Sequence, residues 1–569
     1  MAPKELPLGD PTFREIIQGN LLYADKTNYV FNLIKGPKSC FLSRPRRFGK
    51  TLLLDTLEEL FRGNRELFKG LKIDGKKDCP SETHPILRLN MAYDPISAKE
   101  DLMHWIEWDL CRMAKKENVE IFAKSYNGML EELLDGLSQK FGKGVVVLID
   151  EYDAPVAGHI SNRKLASDNR GVLYGFYTSI KKNLKYIRFV FVTGVTRFTM
   201  TALDSGPNNF VDISLDPNYA GICGFTLSEF NRLFSGRLRG TLGSLKTKGA
   251  IDQNTDRESL KAMILDWYDG YNWLGTQPVL NPYSILNFFN ENRFGDYWPS
   301  LGIPTHLSAL VREKPMEFMQ PCLNSYTSDK IRKIDLGGLE AIPLLFHSGY
   351  LTIDGVAITD VIVKGKTAKV AKVEEFTFRT PNLEVELNYQ ASFFQAAFGL
   401  SDRYFTSFSK NLPKSLSERD SEKLVKVLSG LLHSITYLQH IPSEAYYHSL
   451  LHTAFLASGI VVMSEASGAH GRSDMALSLE GEVRVAIEFK YCHADPAEDD
   501  SVPAAIDLAA KDLSAALDDA EKQLRRGKYG ESLMAISSDV ICLALAIRGR
   551  AQVAARFVEP GETGGPPIS

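Results

Sequence analysis

An apolar run that leads through a basic loop into Gly49-Lys50-Thr51 is the feature that most constrains this fold. Residues 40–42 are typical of a buried strand, and the apolar residues after Thr51 recur at helical spacing along one face. A strand, a loop and a helix start of this kind can hold a phosphate, because backbone N–H groups and the helix dipole face the anion, Lys50 adds charge and the Thr51 hydroxyl can bind Mg²⁺. A standard P-loop would have Gly at position 44, where this chain has Arg44, so a basic turn before a core helix is the structural alternative.

A second run of β-branched residues, 145–149, ends in Asp150 and Glu151. A continuous run of this type is expected of a strand that is buried on both faces of a parallel sheet. Open α/β sheets bind ligands at the carboxyl ends of their strands, where Asp150 can hold the Mg²⁺ of a nucleotide and Glu151 can polarise the attacking water. The alternative is a strand that merely ends in polar residues, and the phosphate-type loop upstream makes that interpretation the less favoured one.

A third strand is predicted at 188–193 and continues into Gly-Val-Thr-Arg-Phe. Thr193 would end this strand beside the Asp150 strand, close enough to sense the γ-phosphate, and Arg197 is a candidate charge sensor or finger for the transition state. An arginine in a surface turn explains Arg197 equally well on chemistry alone. With helices at 105–113 and 121–141 and a strand at 86–91, the alternation over 38–215 predicts a mostly parallel, three-layer α/β domain.

The middle of the chain, from 225 to 345, has a helical and aromatic pattern. Its aromatic residues cluster at 267–273, 281–284 and 297–298, where they could stack nucleic-acid bases. The core of a small helical subdomain is the favoured interpretation of such a cluster. Short β-like stretches over 350–385 predict a small sheet, and residues 395–440 return to amphipathic helix.

Composition excludes several functional classes. With 44% hydrophobic and 24% charged residues and a formal net charge of −4, the chain is not a basic nucleic-acid coat, so a polyanion site must be a local patch. Its 569 residues suggest roughly three or four domains. Neither an apolar run of about 18 residues nor a signal-peptide pattern occurs, which predicts no membrane partner. The seven cysteines are scattered without a CxxC pair, which indicates a reducing, intracellular compartment: the cytoplasm, or the nucleus if the chain is eukaryotic.

A second group of chemically active residues lies near the C-terminus. Two strands, the first around Asp474 and the second ending Ala-Ile-Glu-Phe-Lys, are joined by Glu480-Gly481, which is a hairpin signal. Antiparallel pairing would bring Asp474 near Glu488, and Lys490 shares a face with Glu488 because the two are two residues apart. Two carboxylates and a lysine on one side of a hairpin can hold a divalent metal and activate water against a phosphodiester. On spacing alone, a solvated hairpin face is the commoner explanation.

Two flanking helices favour the chemical interpretation of this hairpin. Upstream, Glu444 and His448 are four residues apart on a predicted helix, so they share a face and could bring a third acidic ligand. Downstream, a helix predicted over 511–528 carries Gln523 and two arginines, which suit backbone phosphates. A helix with an acidic residue, a hairpin and a Gln/Arg helix in this order are a more specific signal than the hairpin by itself.

Together these motifs resemble those of the bacterial and fungal AAA-ATPase-like proteins that end in a nuclease domain of the PD-(D/E)XK superfamily. The resemblance covers nearly the whole chain and rests on the segments 6–10, 23–27, 41–51, 148–155, 193–198, 215–217, 223–226, 267–271 and 471–490. Its most specific part is Ser-Arg-Pro-Arg-Arg-Phe-Gly-Lys at 43–50. The phosphate loop of this family resembles a P-loop without its first Gly, which accounts for Arg44. One departure is Ser473 before Asp474, where the superfamily name leads one to expect Pro.

The resemblance implies roles for individual residues. The predicted nucleotide-binding residues are Arg46, Arg47, Phe48, Gly49, Lys50, Thr51 and Leu52, with Thr193 from the neighbouring strand. Asp150 and Thr51 take the Mg²⁺ positions and Glu151 the water-activating position. The nuclease core consists of Asp474 and Glu488, which would hold Mg²⁺ or Mn²⁺, together with Lys490, the helix acid Glu444 and Gln523.

The predicted organisation is α/β with four segments. These are a P-loop-type ATPase domain with a three-layer parallel sheet at 1–225, a helical lid or middle region with a small sheet at 226–395, an α/β PD-(D/E)XK nuclease-like domain at 396–558 and a disordered tail at 559–569. The predicted function is an ATP-hydrolysing, Mg²⁺-dependent nuclease whose nucleotide state gates cleavage. DNA is favoured over RNA as the substrate, and a role in defence against foreign nucleic acid rests on analogy alone.

Two alternatives stay open on the sequence. The first is an ATP-controlled switch that binds nucleic acid or protein and carries an inactive nuclease fold. The second is an NTP-dependent remodeller, which would act as a homo-oligomeric ring. Such a ring needs an arginine finger from a neighbour, for which Arg197 and the run 44–47 are the candidates.

Overall fold

The computed structural model describes most of the chain as two compact units. The described residues are 3–77, 82–198, 210–298, 305–313, 318, 325–332, 334–335, 338–363, 369–435, 442–468, 471–479, 483–493, 512–527 and 540–559. The first unit consists of Met1–Ala309 and Gln320–Glu386, and the second of Leu310–Met319 and Leu387–Ser569. The predicted domain boundaries, which divide the chain differently, stay predictions.

A five-stranded parallel sheet forms the base of the first unit. Its strands are β1 Ser39–Ser43, β2 Ile86–Asn90, β3 Val145–Asp150, β4 Ile187–Gly194 and β5 Val211–Asp212. They lie in the order β2-β3-β4-β1-β5, and each neighbouring pair is parallel. Every residue of β1 and β3 is buried, as expected of strands that are covered on both faces. The carboxyl ends of β1, β3 and β4 therefore meet at one edge of the sheet.

Two helices precede the first strand of this sheet, and further helices follow β1, β2 and β3. They are α1 Phe13–Gln18, α2 Thr27–Lys35, α3 Lys50–Phe61, α4 Lys99–Lys116, α5 Tyr126–Phe141, α6 Ala154–Ala157 and α7 Arg163–Lys182. Helix α3 begins directly after the basic loop and packs on β3 and β4, while α4, α5 and α7 pack on one another. The loop between β1 and α3 is thus placed at the ligand-binding edge of the sheet.

Two helices begin at residues other than those predicted. In each case an acidic side chain accepts hydrogen bonds from backbone N–H groups that precede the helix. Helix α4 begins at Lys99 rather than at 105, since the Asp101 carboxylate accepts the N–H groups of Ser97 and Ala98. Helix α5 begins at Tyr126 rather than at 121, since the Glu132 carboxylate accepts the N–H groups of residues 122 and 123 and holds them outside the helix.

The middle of the chain forms a helical core. Its elements are β6 Phe225–Thr226, α8 Leu227–Thr247, α9 Arg257–Tyr268, β7 Val279–Leu280 and α10 Pro282–Glu291. The next helix, α11 Thr305–Glu313, begins in the first unit and ends in the second. The aromatic side chains of Tyr268, Tyr271, Trp273 and Trp298 are buried. They pack in the interior and do not present open faces to bases, as the favoured interpretation predicted.

A small antiparallel sheet follows. Its elements are β8 Tyr326–Thr327, α12 Ser328–Arg332, α13 Ala341–Ser348, β9 Thr352–Val363 and β10 Lys369–Arg379, with the strand order β8-β10-β9. The predicted small sheet is present, and its two main strands are long and pair antiparallel, rather than forming several short stretches.

The second unit combines helices with a mixed sheet. Its elements are α14 Leu383–Phe398, which begins in the first unit, α15 Asp402–Ser417, α16 Ser421–Ser434, α17 Glu444–Ala457, β11 Val461–Gly468, β12 Gly471–Ser478, β13 Arg484–Cys492, α18 Leu513–Gly527, β14 Val540–Arg548 and β15 Gln552–Val558. The strands of this sheet lie in numerical order, and among its described strands only the neighbours β13 and β14 run parallel. Apolar residues of α18 pack on β13 and β14.

The predicted fold class is confirmed: a parallel-sheet α/β domain, a helical middle region and a C-terminal α/β domain with a mixed sheet. The hairpin turn at 480–481, the ends of the predicted 511–528 helix and residues 560–569 of the predicted tail lie outside the described residues. Within the described residues, no helix combines the length and the apolar character that a membrane crossing needs.

Candidate nucleotide and nuclease sites

Four carbonyl groups of the basic loop, those of residues 44, 45, 46 and 48, accept hydrogen bonds. The Lys50 ammonium donates to the carbonyls of Arg44 and Pro45, at 3.1 and 3.0 Å. The Arg46 carbonyl accepts from an indole N–H at 3.0 Å, and the Phe48 carbonyl accepts the N–H of Gly224 at 3.3 Å. These contacts fix the orientation of successive peptide groups in the loop.

The N–H groups of the same loop and of the first helical turn point elsewhere. Among the described residues, none accepts a hydrogen bond from the backbone N–H groups of 46–52. Arg47 and Gly49 both adopt left-handed backbone conformations, with φ of 66° and 91°. Alternation of this kind gathers successive N–H groups into a concave anion-binding nest, here at the N-terminus of the 12-residue helix α3. The loop has the geometry of a phosphate cradle.

Arg44 is part of the wall of this loop. Its side chain is almost fully buried, and Nη1 donates to the carbonyls of Ser43 and Ser214, both at 2.8 Å. The guanidinium also lies 4.2 Å from the ring centroid of Trp273. Burial lowers the pKa of Arg44 to about 10, so the group still carries its charge at neutral pH. Arg44 thus does not merely replace a Gly; it anchors the loop to the edge of the sheet.

The predicted Mg²⁺ residues meet at the carboxyl ends of the strands. Asp150 at the end of β3 is buried, and its Oδ2 accepts the hydroxyl of Thr51 at 2.7 Å. Its Oδ1 accepts the hydroxyl of Thr193 from β4, also at 2.7 Å. The arrangement offers hydroxyl and carboxylate oxygens beside the phosphate cradle, which is the ligand chemistry that Mg²⁺ prefers. These residues therefore fit a nucleotide-bound Mg²⁺.

Glu151 follows Asp150 in a left-handed backbone conformation, with φ of 50°. Such a conformation is uncommon for residues other than Gly, and it turns the chain sharply at the end of β3. Burial raises the pKa of the Glu151 carboxyl, while the positive charge of Lys50 opposes that change. A carboxyl of raised pKa beside the phosphate cradle is suited to orienting water or accepting its proton.

The structure adds one residue that the sequence interpretation did not select. Asp153 is buried, and its carboxylate accepts the N–H groups of Val195 and Thr196, at 3.1 and 2.7 Å, and the Thr196 hydroxyl. It ties the segment that follows Thr193 to the turn after Asp150. The available signal was a third acid, three residues after Asp150 in the strand-end motif, which did not reveal its partners.

Arg197 is held away from the Asp150 group. Its guanidinium is buried and forms an ion pair with Asp212 of β5, on the far side of β1 from β3. The guanidinium also lies 5.3 Å from the ring centroid of Phe41. A role as a sensor or finger would require this ion pair to open, and it stays a prediction.

The remaining predicted loop residues divide between surface and core. Arg46 and Arg47 are exposed, and Arg47 pairs with Asp10. Phe48 is buried against Tyr271 and Trp273, with ring centroids 4.8 and 5.4 Å away. Leu52 is half-buried in the first turn of α3 and contributes its backbone N–H to the cradle.

In the second unit, the predicted hairpin brings Asp474 and Glu488 together. Strand β12 pairs antiparallel with β13, with Met475 opposite Ile487, so Asp474 comes opposite Glu488. The Asp474 Oδ2 atom accepts the N–H of Phe489 at 2.8 Å, which orients this carboxylate. The Lys490 ammonium lies 3.6 Å from Oε1 of Glu488.

Glu488 fits a metal ligand. Its side chain is buried, and within the described residues its Oε2 atom has no hydrogen-bond partner. Burial, reinforced by the charge of Asp474, raises the pKa of Glu488 to about 7, and Lys490 opposes this shift. An unpartnered carboxylate oxygen in the interior is costly, and a cation between Glu488 and Asp474 would supply the missing interaction. The described residues do not include a group of three His, Cys, Asp or Glu side chains close enough to hold a metal.

The two flanking helices differ in whether their predicted site residues contact the hairpin. Glu444 begins α17 and its Oε2 accepts the N–H of Tyr491 at 3.2 Å, beside Lys490. His448, one turn later, contacts the Asp474 carbonyl with Nε2 at 3.0 Å. Gln523 lies on the exposed side of α18. The structure thus brings Glu444 and His448 to the hairpin, and the role of Gln523 stays a prediction.

Comparison with known proteins matches two separate regions of the chain. Residues 7–204 match the family model described as "Predicted AAA-ATPase", and residues 442–556 match the PD-(D/E)XK nuclease superfamily. An "Uncharacterized protein in vnfD 5'region" of Azotobacter chroococcum mcd 1 is 32% identical over 511 residues, which cover 87% of this chain and 91% of the relative. The chain belongs to the AAA-ATPase-like family with a C-terminal PD-(D/E)XK domain.

Both sites of this AAA-ATPase-like protein fall inside the matched regions. The phosphate cradle, Asp150 and Thr193 lie within 7–204, and Asp474, Glu488 and Lys490 lie within 442–556. The two domain families suggest an ATPase and a nuclease, and they generally imply a nucleotide and a divalent metal. A nuclease domain also implies contact with nucleic acid.

Proposed function

We propose that this AAA-ATPase-like protein hydrolyses ATP and cleaves DNA in a metal-dependent reaction, with nucleotide state gating the cleavage. The observation that carries the proposal is the buried, unpartnered Oε2 atom of Glu488 opposite Asp474 and beside Lys490. An intact pair of carboxylates with a lysine is expected of a working phosphodiesterase, and a domain kept only as a binding fold has no need of it.

The residues divide the nuclease work as follows. Asp474 and Glu488 would hold Mg²⁺ or Mn²⁺, which lowers the pKa of bound water and neutralises charge on the scissile phosphate. Lys490, 3.6 Å from Glu488, would orient or deprotonate the nucleophile. Glu444 supports the end of β13 through the Tyr491 N–H.

In the ATPase site, the cradle of N–H groups would bind the phosphates, with Lys50 adding charge. Thr51 and Asp150 would hold Mg²⁺, and Thr193 would report the presence of the γ-phosphate through its bond to Asp150. Glu151 would orient the attacking water. By analogy alone, we propose that this cleavage serves defence against foreign nucleic acid.

The test is cleavage of plasmid and linear DNA with Mg²⁺ or Mn²⁺, with and without ATP. Wild type would be compared with Glu488→Gln, which keeps the volume of the side chain, with Lys50→Ala, and with Glu418→Gln as a control at an exposed carboxylate of the second unit. We expect Glu488→Gln to abolish cleavage while ATP hydrolysis persists, and Lys50→Ala to alter the ATP dependence. Equal cleavage by wild type and Glu488→Gln would refute the nuclease assignment. ATP hydrolysis without cleavage by any variant would favour an ATP-controlled binding switch.

A further inference from the structure

The phosphate loop of this protein is held by residues far outside the matched ATPase region. Trp298 is buried, and its indole N–H donates to the carbonyl of Arg46 at 3.0 Å. The two residues are 252 positions apart in the chain. Trp298 and Glu384 lie between the two matched regions, which end at 204 and begin at 442.

This hydrogen bond acts on the peptide group that supplies one of the cradle's N–H groups. In a trans peptide, the C=O of one residue and the N–H of the next point in opposite directions. A donor on the Arg46 carbonyl therefore directs the Arg47 N–H away from Trp298 and toward the cradle. Lys50 acts in the same way on the Pro45 carbonyl, and the Gly224 N–H on the Phe48 carbonyl. The Arg44 carbonyl, which also accepts from Lys50, precedes Pro45, so its peptide group has no N–H.

Trp298 is itself held by a buried carboxyl group. Its backbone N–H donates to Oε1 of Glu384 at 2.9 Å, and the Ser284 hydroxyl lies 2.9 and 2.8 Å from the two Glu384 oxygens. Glu384 is fully buried in the first turn of α14, and no Lys or Arg forms an ion pair with it among the described residues. A buried acid surrounded by neutral donors fixes the position of its partners, because each hydrogen bond lost would leave a polar group unsatisfied.

The loop also packs closely against the middle region of the chain. A Cβ atom on Gly349 would lie 2.8 Å from Cβ of Pro45 and 3.1 Å from Cζ2 of Trp298, so the middle region approaches the loop as closely as Gly permits. Tyr350 packs on Trp298, with ring centroids 5.3 Å apart. The surface formed by Trp298, Gly349 and Tyr350 is thus complementary to residues 45–46 of the loop.

We infer that Trp298 and Glu384 are positioning residues for nucleotide binding, which set the orientation of the phosphate loop through the Arg46 carbonyl. The inference rests on the proposed function, because it assumes that the loop binds the phosphates of ATP. It follows that the nucleotide-binding unit extends to the start of α14, well beyond the region that matches the ATPase family.

The test measures binding of the non-hydrolysable analogue β,γ-imido-ATP with Mg²⁺ to the full chain by calorimetry. Trp298→Phe keeps an aromatic ring and removes the indole N–H. We expect the analogue to bind about fivefold more weakly, as for one lost hydrogen bond.

Trp267→Phe is the matched control, since Trp267 packs on Tyr268 and Phe294 in the same middle region. Glu384→Gln keeps a side-chain oxygen that can accept the Trp298 N–H. We therefore expect this variant to bind the analogue with an affinity within twofold of wild type.

A second readout distinguishes positioning from general stability. Amide hydrogen exchange of residues 46–52 should be faster in Trp298→Phe than in Trp267→Phe, while exchange in β3 stays the same. Should Trp298→Phe fail to fold, Gly349→Ala, which presses on Pro45, is expected to weaken binding through the same loop. Wild-type affinity in both Trp298→Phe and Gly349→Ala, with unchanged exchange, would refute the inference. Failure of wild type itself to bind the analogue would instead overturn the ATPase half of the proposed function, and this inference with it.

Discussion

The hydroxyl of Thr193 donates a hydrogen bond to Oδ1 of Asp150 at 2.7 Å, between two neighbouring parallel strands. The other oxygen of this carboxylate accepts the Thr51 hydroxyl at the same distance. One buried carboxylate is therefore oriented from both sides. Because Thr193 comes from the strand next to Asp150, any displacement of that strand changes the geometry of the predicted Mg²⁺ residue.

We expect Thr193→Val, which preserves shape but removes the hydroxyl, to lower the turnover of ATP by about tenfold, because a hydrogen bond to a charged group contributes roughly 1.5 kcal/mol. Affinity for the nucleotide should stay close to that of wild type, because the cradle is untouched. Steady-state hydrolysis and nucleotide binding measured together would separate the two effects. Thr453→Val, at a buried threonine of α17, is the control. Unchanged turnover in Thr193→Val would contradict the orienting role.

Asp153→Asn should destabilise the first unit by about 2 kcal/mol, because an amide cannot accept all the donors that the carboxylate accepts. Those donors are the N–H groups of Val195 and Thr196 and the Thr196 hydroxyl. All five tryptophans of the chain lie in the first unit, so denaturant unfolding followed by tryptophan fluorescence reports on it.

The control for this measurement is Asp168→Asn, whose carboxylate forms an exposed ion pair with Lys164. Its effect on the free energy of unfolding should be below about 0.5 kcal/mol. Equal effects of the two substitutions would show that the contacts of Asp153 do not hold the segment after Thr193.

The buried ion pair between Lys26 and Glu229 predicts a strongly non-additive mutant cycle. Lys26 donates to Glu229 at 2.6 Å and to the Gly221 carbonyl at 2.8 Å, and both charged side chains are largely buried. Lys26→Met should cost about 3–5 kcal/mol in the free energy of unfolding, because it leaves the Glu229 charge buried without its partner. The double variant Lys26→Met, Glu229→Leu should be less destabilised than the sum of the single changes. Additive effects would mean that the pair contributes no coupling.

Glu384 predicts a pH dependence of stability in the first unit. Burial raises the pKa of Glu384 to about 8, whereas its ordinary value is 4.5. The folded state therefore holds a proton that the unfolded chain releases between these values, so this stabilisation is complete below the lower pKa and is lost as the pH rises toward the upper one. We expect wild type to lose about 2 kcal/mol more stability than Glu384→Gln between about pH 6 and pH 8. Parallel pH profiles of the two proteins would contradict this expectation.

Local sequence patterns were sufficient for the parts of both sites that lie within one strand–loop–helix or one hairpin. The β-branched run before Asp150 and the apolar run before the basic loop each predicted a buried strand, and parallel pairing then placed their carboxyl ends together. Two strand-like segments on either side of Glu480-Gly481 predicted the antiparallel pair that brings Asp474 opposite Glu488.

Such patterns predicted the boundaries of helices and the ion-pair partners of side chains less well. The start of α5 depends on Glu132, whose carboxylate holds residues 122 and 123 by their N–H groups. Arg197 could be placed in its loop but not in its ion pair, because Asp212 comes from a strand on the other side of β1. A side chain with several chemically suitable partners cannot be assigned to one of them without the packing.

The sequence by itself determined the buried strands, the amphipathic helices and the motifs on which the family resemblance rests, because strand burial, helix periodicity and motif spacing are local properties of the chain. The tertiary structure decided what holds those residues in position. Arg44 in the wall of the loop, Asp153 on the segment after Thr193, and Trp298 with Glu384 on the Arg46 carbonyl all depend on contacts between distant parts of the chain. Such contacts leave no periodic signal, since each is selected by the space and the unpaired polar groups that the folded chain presents.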